Sequence, residues 1–470
     1  MADLTTNFAG IRSPNPFWLA SAPPTNSDEQ IMRAFDAGWG GAVWKTIGEP
    51  IVNVSSRYSS IDWNAQRMMG LNNIELISDR PIEVNLRELA EVKRLYPGHA
   101  VIASLMVESK REAWHEMVKR AEGAGADGLE LNFGCPHGMS ERGMGSAVGQ
   151  VPEYAQMITE WVKEAARTPV LVKLTPNITD IRTVARAAKR AGANGLSAIN
   201  TINSITGIDL DTLAPRPNVD GKSSHGGYCG PAVKPIALNM IQQVNSDYVD
   251  GAPLPMSGIG GIGNWRDAAE FILLGCGSVQ VCTAVMHFGY RIVEDMIDGL
   301  SNWMDSKGFV TIEDFRGKSL PKVTDWQHLN LNYKIVALID EALCIGCQLC
   351  HIACWDGAHQ CIHLDRVSGV TDGHVEVHAK PHEYGRETIA ATPIPRLDPP
   401  GSHLGPYPTP LDRIPRVDET ECVGCNLCSL VCPVDGCITM VERDAGLPSQ
   451  TWAERTGAVE SCEPMPVRSK

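Results

Sequence analysis

The sequence predicts an α/β fold in which a (β/α)8 TIM barrel is followed by a second, smaller α+β domain. Two observations predict it. Between residues 15 and 305, short apolar runs alternate eight times with segments of helical period, and two cysteine-rich runs of equal spacing follow residue 340. Near-continuous apolar strands alternating with helices are typical of a parallel sheet covered on both faces. Eight such units in roughly 290 residues fit a closed barrel better than an open doubly wound sheet.

The strands of the barrel are predicted from apolar, β-rich runs. They are FWLASA (17–22), AVWKTI (42–47), AVIASLM (100–106), DGLELN (127–132), PVLVKLT (169–175), NGLSAIN (194–200), LPMSGI (254–259) and SVQVCT (278–283). Helical segments follow them, among them SDEQIMRAFDAG, DIRTVARAAKRAGA and NWRDAAEFILLG, and glycine commonly closes these helices. The predicted bounds are 1–325 for the barrel, 335–445 for the second domain, 365–417 for a proline-rich surface insertion and 446–470 for an extended tail.

Composition limits the classes of function. The 41 basic and 55 acidic residues give a formal charge of −14, which opposes non-specific binding to nucleic acid or to anionic lipid. No apolar run reaches the roughly 18 residues that a membrane span requires. The first thirty residues lack a basic segment followed by an apolar one, so we expect no secretory signal and a cytoplasmic location.

The second domain carries the strongest motif. Eleven of the fifteen cysteines lie beyond residue 340, and both CIGCQLCHIAC and CVGCNLCSLVCP have the spacing C-x2-C-x2-C-x3-C. This doubled spacing is typical of a ferredoxin-like domain with two [4Fe-4S] clusters, in which the fourth cysteine of each run binds the other cluster. A zinc site and scattered structural cysteines are the alternatives, but zinc requires no such repeat. The predicted ligands are Cys344, Cys347, Cys350, Cys354, Cys422, Cys425, Cys428 and Cys432, whereas Cys361 and Cys437 are predicted to be core residues.

Reactive side chains follow the predicted barrel strands, where the carboxyl ends of the strands carry the chemistry of this fold. Lys45 and Lys173 are hard to explain as core residues, because buried lysines are rare unless paired or functional, although both could extend to solvent. GIGGIG (258–263) satisfies G-x-G-x-x-G but lacks the acidic residue of a dinucleotide fold about 20 positions later. Because it follows the seventh strand, we interpret it as a loop for the phosphate of FMN, with a structural glycine turn as the alternative.

In these residues the chain resembles the dihydropyrimidine dehydrogenases, specifically their flavin- and pyrimidine-binding half joined to the carboxyl-terminal ferredoxin-like domain. In bacteria this half is a separate catalytic subunit. The resemblance covers nearly the whole chain apart from the insertion and the tail. Its motifs are NPFWLASAPPT, LNNIELIS, NFGCPHGMSERGMG, VKLTPNITDI, INTINSITG and GIGGI with VQVCTAV.

The resemblance implies a role for each of these motifs. It implies that FMN is bound by Ala20, Ser21, Lys45, Lys173, Gly227, Gly260, Gly261, Cys282 and Thr283. It implies that the pyrimidine is bound by Asn73, Glu75, Asn132, Asn200 and Thr201, with Cys135 as the general acid. We expect His137 and the pair Glu141 and Arg142 to organise the loop that carries Cys135, whose glycines would let it move.

Elementary chemistry agrees with these roles. A pyrimidine edge alternates donors and acceptors, and asparagine amides offer both in one plane. A thiol with an ordinary pKa near ~8.5 is mostly protonated at neutral pH and can donate a proton to carbon 5 of the pyrimidine. The alternative interpretation of Cys135 is a buried structural cysteine. No NAD site or FAD fingerprint is recognised, so we expect a partner subunit with FAD and iron–sulfur clusters to oxidise NAD(P)H, in a heterotetramer. Dihydroorotate dehydrogenase and a non-catalytic electron-transfer subunit remain alternative functions.

Overall fold

The computed structural model of the protein describes residues 2–136, 138–366 and 413–457. The chain divides into two compact units, Met1–Val323 and Thr324–Lys470. The first unit contains a closed parallel barrel of eight strands, which confirms the predicted barrel. The barrel strands, in chain order, are Phe17–Leu19, Gly41–Val43, Ala100–Leu105, Gly128–Asn132, Val170–Lys173, Gly195–Ala198, Met256–Ile259 and Cys276–Val281.

Each of the eight apolar runs overlaps one barrel strand, but several strands end earlier than predicted. The second strand ends at Val43, so Lys45 lies beyond its carboxyl end, and Ala20 likewise follows the end of the first strand. These residues remain tied to the rim, because Ala20 N donates to Val281 O at 2.9 Å and Lys45 N donates to Thr25 O at 3.0 Å. The chain therefore turns over the barrel rim where the prediction extended the strands.

Helices cover the outside of the barrel. Ser27, Asp180 and Asn264 cap three of them by accepting backbone N–H groups, as short polar side chains commonly do. Gly38, at φ 115, ends the first of them. The helices of this unit are Asp28–Ala37, Ile82–Leu95, Arg111–Gly123, Ser146–Gly149, Pro152–Ala165, Ile181–Arg190, Lys234–Asn245, Trp265–Leu273, Thr283–Phe288 and Ile292–Lys307.

Two additional sheets decorate the barrel. A hairpin of Thr6–Phe8 and Ile11–Ser13 precedes the first barrel strand, and Phe8 packs edge-on against Trp18 within a small core that includes Ile11. An antiparallel four-stranded sheet has the order Ile202–Ser204, Gly226–Cys229, Gln66–Asn73 and Tyr58–Trp63. Its strands come from loops after the second and sixth barrel strands, so it brings residues from distant parts of the sequence to the same rim.

The second unit has the α+β composition that the sequence predicts, with two antiparallel strand pairs. Lys334–Ile339 pairs with Ile438–Arg443, and Ile362–Arg366 pairs with Arg413–Val417. The predicted insertion therefore begins and ends in strands, and residues 367–412 lie outside the described residues. The prediction of an extended tail is wrong for residues 452–456. They form the helix Trp452–Thr456, which Thr451 and Glu454 cap reciprocally.

The cysteine repeat is also a repeat of backbone conformation. Gly346 and Gly424, two residues after the first cysteine of each run, have φ of 69 and 68. Gln348 and Asn426 follow at φ of 63 and 67, and each precedes a helix, Leu349–Gly357 or Leu427–Val431. The two runs therefore fold alike, and each delivers its third cysteine to the buried centre of this unit.

Candidate active site and cysteine cavities

A cavity of about 590 Å³ opens at the carboxyl ends of the barrel strands. The predicted site residues in its lining are Ala20, Ser21, Lys45, Asn73, Glu75, Asn132, Cys135, Lys173, Asn200, Thr201, Gly260, Gly261, Cys282 and Thr283. Gly227 does not line it, although the adjacent Tyr228 does. A Cβ at Gly227 would lie 2.2 Å from Thr201 Oγ1, so glycine allows this strand to approach Thr201.

Lys45 and Glu75 form a buried ion pair in the cavity wall, with 6% and 4% of their side chains exposed. Tyr58 donates its hydroxyl to the other carboxylate oxygen of Glu75, and Arg57 Nη1 lies 3.4 Å from Oε1. Burial, and next the hydrogen bond to Glu75, raise the pKa of Tyr58. The sequence had not indicated Tyr58, which reaches the site because its strand pairs with the strand of Asn73.

Lys173 has a buried carboxylate partner of its own. Its Nζ lies 3.5 Å from Glu130 Oε1, and the Glu130 side chain is fully buried. Ser197 donates to Glu130 Oε2 at 2.8 Å, and Gln280 Nε2 donates to the same oxygen at 3.1 Å. A buried carboxylate requires such partners because burial alone strongly disfavours its charge. This set fixes the direction of the lysine at the end of the fifth strand.

Asparagine amides form a second group in the cavity lining. Asn132 Nδ2 donates to Thr46 Oγ1 at 2.9 Å, and Asn200 Nδ2 donates to Asn132 Oδ1 at 3.0 Å. Thr201 N donates to Asn200 Oδ1 at 2.8 Å. Sequence reasoning missed Asn177, which donates to Thr201 O at 3.0 Å and so fixes the turn. These bonds hold the amide planes in place before any ligand arrives.

Cys135 lies at the cavity wall within a small apolar cluster. Its side chain packs with Ile77, Met106 and Met139, and the residue is 9% exposed. Its carbonyl accepts from Ser146 N at 3.0 Å, which fastens the loop behind the thiol. Glu141 and Arg142 form one helical turn of this loop, and His137 lies outside the described residues.

The glycine loop forms a close-packed cradle at the far end of the cavity. Gly260 and Gly261 have φ of 130 and 75, where side chains are strained. A Cβ at Gly260 would lie 2.7 Å from Ala237 Cβ, and one at Gly261 would lie 2.8 Å from Lys234 N. Such a cradle fits a flat cofactor with a phosphate, because the backbone N–H groups of a glycine loop can approach a phosphate closely.

Further polar and thiol groups lie in the cavity lining near the end of the eighth strand. Gln280 Oε1 is buried and has no hydrogen-bond partner among the described residues, which leaves an acceptor for a donor in the cavity. Burial raises the pKa of Cys229 to about 11 and that of Cys282 to about 12, so both remain neutral thiols at neutral pH. Thr283 Oγ1 donates to Cys229 Sγ at 3.2 Å.

In the second unit the cysteines line two small cavities. Cys354 of the first run lines one of them together with three cysteines of the second run, Cys422, Cys425 and Cys428. The second cavity is lined by Cys344, Cys347 and Cys350 together with Cys432 of the second run. Each cavity thus combines three sulfurs of one run with the fourth of the other, which fits two cubane clusters. Cys361 and Cys437, predicted as core residues, also line these cavities.

Comparisons with known proteins match a different family in each of the two structural units. Residues 3–304 match the dihydroorotate dehydrogenase family, and residues 343–436 match the 4Fe-4S dicluster domain. Among the described residues, no helix has the length and apolar character needed to cross a membrane.

Three relatives illustrate the range of similar proteins. The NAD-dependent dihydropyrimidine dehydrogenase subunit PreA of Escherichia coli K12 is 43% identical over 359 residues, which cover 76% of this chain and 87% of the relative. The chloroplastic dihydropyrimidine dehydrogenase (NADP(+)) of Arabidopsis thaliana is 44% identical, covering 68% of this chain and 78% of its own. The catalytic subunit of dihydroorotate dehydrogenase B (NAD(+)) from Pyrococcus abyssi is 35% identical over a region that covers 67% of this chain and 99% of the relative.

Proposed function

From the premise that the chain belongs to the dihydroorotate dehydrogenase family, we propose that this oxidoreductase is the catalytic subunit of a dihydropyrimidine dehydrogenase. It reduces the 5,6 double bond of uracil or thymine, reversibly, to the 5,6-dihydropyrimidine. Its electrons come from NAD(P)H through a partner flavoprotein and two [4Fe-4S] clusters. We keep the cytoplasmic location as a prediction.

The observation that carries this proposal is the charge of the cavity wall. In the described part of the lining, the lysines are Lys45, Lys173 and Lys234, and each has a carboxylate partner. Neutral amides provide the remaining recognition groups near Cys135. An uncharged, planar pyrimidine suits such a wall, whereas the carboxylate of orotate would need an additional cation.

FMN fits the cavity, and several residues would hold it. The backbone at Ala20 and Ser21, the glycine cradle at Gly260 and Gly261, and Cys282 with Thr283 would surround it, with Gly227 in the strand behind. When bound, FMN supplies the hydride chemistry of the reaction. Lys45 and Lys173 would donate hydrogen bonds to the cofactor, and their carboxylate partners keep both lysines in position.

The amides orient the pyrimidine. Asn132 and Asn200 are already bonded to each other and to neighbours, so binding requires little loss of side-chain freedom. Asn73 Oδ1 accepts a hydrogen bond from Glu75 N at 2.5 Å. This bond connects the proposed pyrimidine-binding residues to the ion pair of Lys45 and Glu75. Thr201 completes the set through its fixed backbone.

Cys135 holds the proton that carbon 5 receives. Its thiol lies among Ile77, Met106 and Met139, and this apolar cluster excludes water from the point of proton transfer. A protonated thiol in that position serves as general acid in reduction, and the thiolate serves as general base in the reverse direction.

The eight cysteines of the second unit would hold two [4Fe-4S] clusters that relay single electrons. NAD(P)H and FAD belong to a partner subunit, in a heterotetramer, since no motif for either was recognised in this chain. PreA, the relative from Escherichia coli, is itself named as a subunit.

The test separates this chain from its partner. We expect the purified chain, loaded with FMN and clusters, to reduce uracil with an artificial electron donor but not with NADH. Adding the partner subunit should restore NADH-dependent turnover. Robust NADH-dependent turnover by the chain alone would contradict this division of labour.

Dihydroorotate oxidation is the second candidate, because the relative from Pyrococcus abyssi is a dihydroorotate dehydrogenase subunit that aligns over 99% of its length. The paired state of all three lysines weighs against it. A purely electron-transferring function is less well supported, since the asparagine amides of the cavity and Cys135 would then have no role.

A further inference from the structure

Each cysteine cavity of the second unit contains one sulfur more than a cubane needs. Cys361 lines the cavity of Cys354, Cys422, Cys425 and Cys428, and Cys437 lines the cavity of the other four ligands. Cys361 is 4% exposed and Cys437 is 2% exposed, so neither thiol is a surface group.

Cys361 lies directly beside one proposed ligand. Its Sγ is 3.6 Å from Cys354 Sγ, and its backbone N–H donates to that same sulfur at 3.3 Å. Metal–thiolate bonds are about 2.3 Å long, as they are for zinc. Cys361 Sγ is therefore within reach of an iron atom that Cys354 would hold.

The backbone around Cys361 is fixed by several contacts. Trp355 Nε1 donates to Ile362 O at 2.6 Å, directly after the cysteine. Gln360 N donates to Cys354 O at 3.1 Å, directly before it. The thiol is thus presented to the cavity from a short, doubly anchored loop that connects a helix to a strand.

Cys437 occupies the corresponding place in the other half. Like Cys361, it immediately precedes a strand, here Ile438–Arg443, and its Sγ donates to Asp340 O at 3.7 Å. Asp340 N donates to Cys437 O at 2.8 Å, which anchors the backbone there. The side chain of Cys437 also contacts that of Cys432. An extra cysteine beside the fourth ligand is therefore a feature of both halves of the repeat.

We propose that Cys361 and Cys437 are reserve ligands, each able to bind the iron that Cys354 or Cys432 normally holds. The inference rests on the proposed two-cluster function. In the exchange, the bond from iron to Cys354 Sγ breaks and a bond to Cys361 Sγ forms. The thiol proton of Cys361 passes to the released Cys354 thiolate, so neither sulfur nor iron changes oxidation state. A cluster would then survive damage to its fourth ligand.

The test counts iron in the co-purified complex of the full chain with its partner, after subtraction of the iron found in the partner subunit purified alone. The wild type should contain about eight irons in this chain's two clusters. We expect Cys354→Ala and Cys361→Ala each to keep that number, and the double variant to lose about half of it. In reduced samples, Cys354→Ala should keep its spin count but show an altered electron paramagnetic resonance spectrum, because one ligand has changed.

The pair Cys432→Ala and Cys437→Ala repeats the test in the other cavity, and flavin content reports whether the barrel is folded. Iron loss in Cys354→Ala as large as in the double variant, or failure of both fourth-ligand variants to accumulate with clusters, would overturn the proposal. A wild type with far fewer irons would instead refute the two-cluster function itself.

Discussion

The barrel cavity is built from residues that are distant in the sequence, from Ala20 to Phe288, whereas two short stretches supply every cysteine that lines the cavities of the second unit. In the barrel, most groups have partners before a ligand arrives, as in the pairs of Lys45 with Glu75 and Lys173 with Glu130. In the second unit, the sulfurs of each cavity face one another. The barrel site is thus organised by topology, and the cluster sites by local spacing.

The largest expected effect separates the chemistry of the two units. Cys135→Ala removes the proposed proton donor and leaves every proposed FMN-binding residue and cluster ligand unchanged. We expect uracil reduction to fall on the order of 10²-fold or more, while flavin and iron contents stay at wild-type values. Steady-state rates with an artificial donor measure this. The thiol control is Cys462→Ala, at a cysteine that belongs to neither cysteine run and lies outside the described residues. A Cys135→Ala rate near that of the wild type would revive the electron-transfer alternative.

The second prediction tests whether the barrel site is preorganised by its ion pairs. Lys173→Met leaves the fully buried Glu130 without its cation, which should lower the free energy of unfolding by about 3 to 5 kcal/mol. Adding Glu130→Gln should restore most of that stability but not the activity. Denaturant unfolding of the three variants measures this. Equal stability of Lys173→Met and the wild type would show that the pair does not organise the site.

The third prediction asks whether the glycine cradle holds the flavin independently of the clusters. At Gly261, φ is 75 and an added Cβ would lie 2.8 Å from Lys234 N. Gly261→Ala should therefore weaken flavin binding about tenfold or more, since strain of about 1–2 kcal/mol adds to the clash. Flavin titration measures the change, and iron content should be unaffected.

Gly263→Ala is the matched control on the same loop, because its Cβ would meet Asp267 Oδ2 only at an ordinary 3.6 Å. We expect this variant to retain far more flavin than Gly261→Ala. Equal losses in both variants would attribute the effect to the loop in general rather than to the cradle.

The smallest effect concerns a residue that only the fold reveals. Tyr58→Phe removes the hydroxyl that donates to Glu75 while keeping the ring. Because a hydrogen bond of this kind contributes about 1 kcal/mol, we expect about a fivefold rise in KM for uracil with kcat nearly unchanged. Arg67→Gln, on the same hairpin and 80% exposed, is the control. A fall in kcat without a change in KM would instead place Tyr58 in the chemical step.

The comparison also explains which features the sequence could predict. The eight strands follow from local periodicity, and the cluster ligands follow from a spacing that repeats within each run. Tyr58, Asn177 and Gln280 carried no such signal, since each contacts a residue of the site only through pairing of distant strands or through a loop that folds back. The helix Trp452–Thr456 was missed although Thr451 and Glu454 had the spacing of a capping box.

Substrate preference tests the central claim most directly. The chain, loaded with FMN and supplied with an artificial donor, is assayed side by side with uracil, thymine and orotate. Because every lysine of the described cavity wall is paired and the recognition groups are amides, we predict rapid reduction of uracil or thymine and negligible reduction of orotate. Reduction of orotate at a rate equal to or above that of uracil would contradict the account and assign the chain to dihydroorotate chemistry.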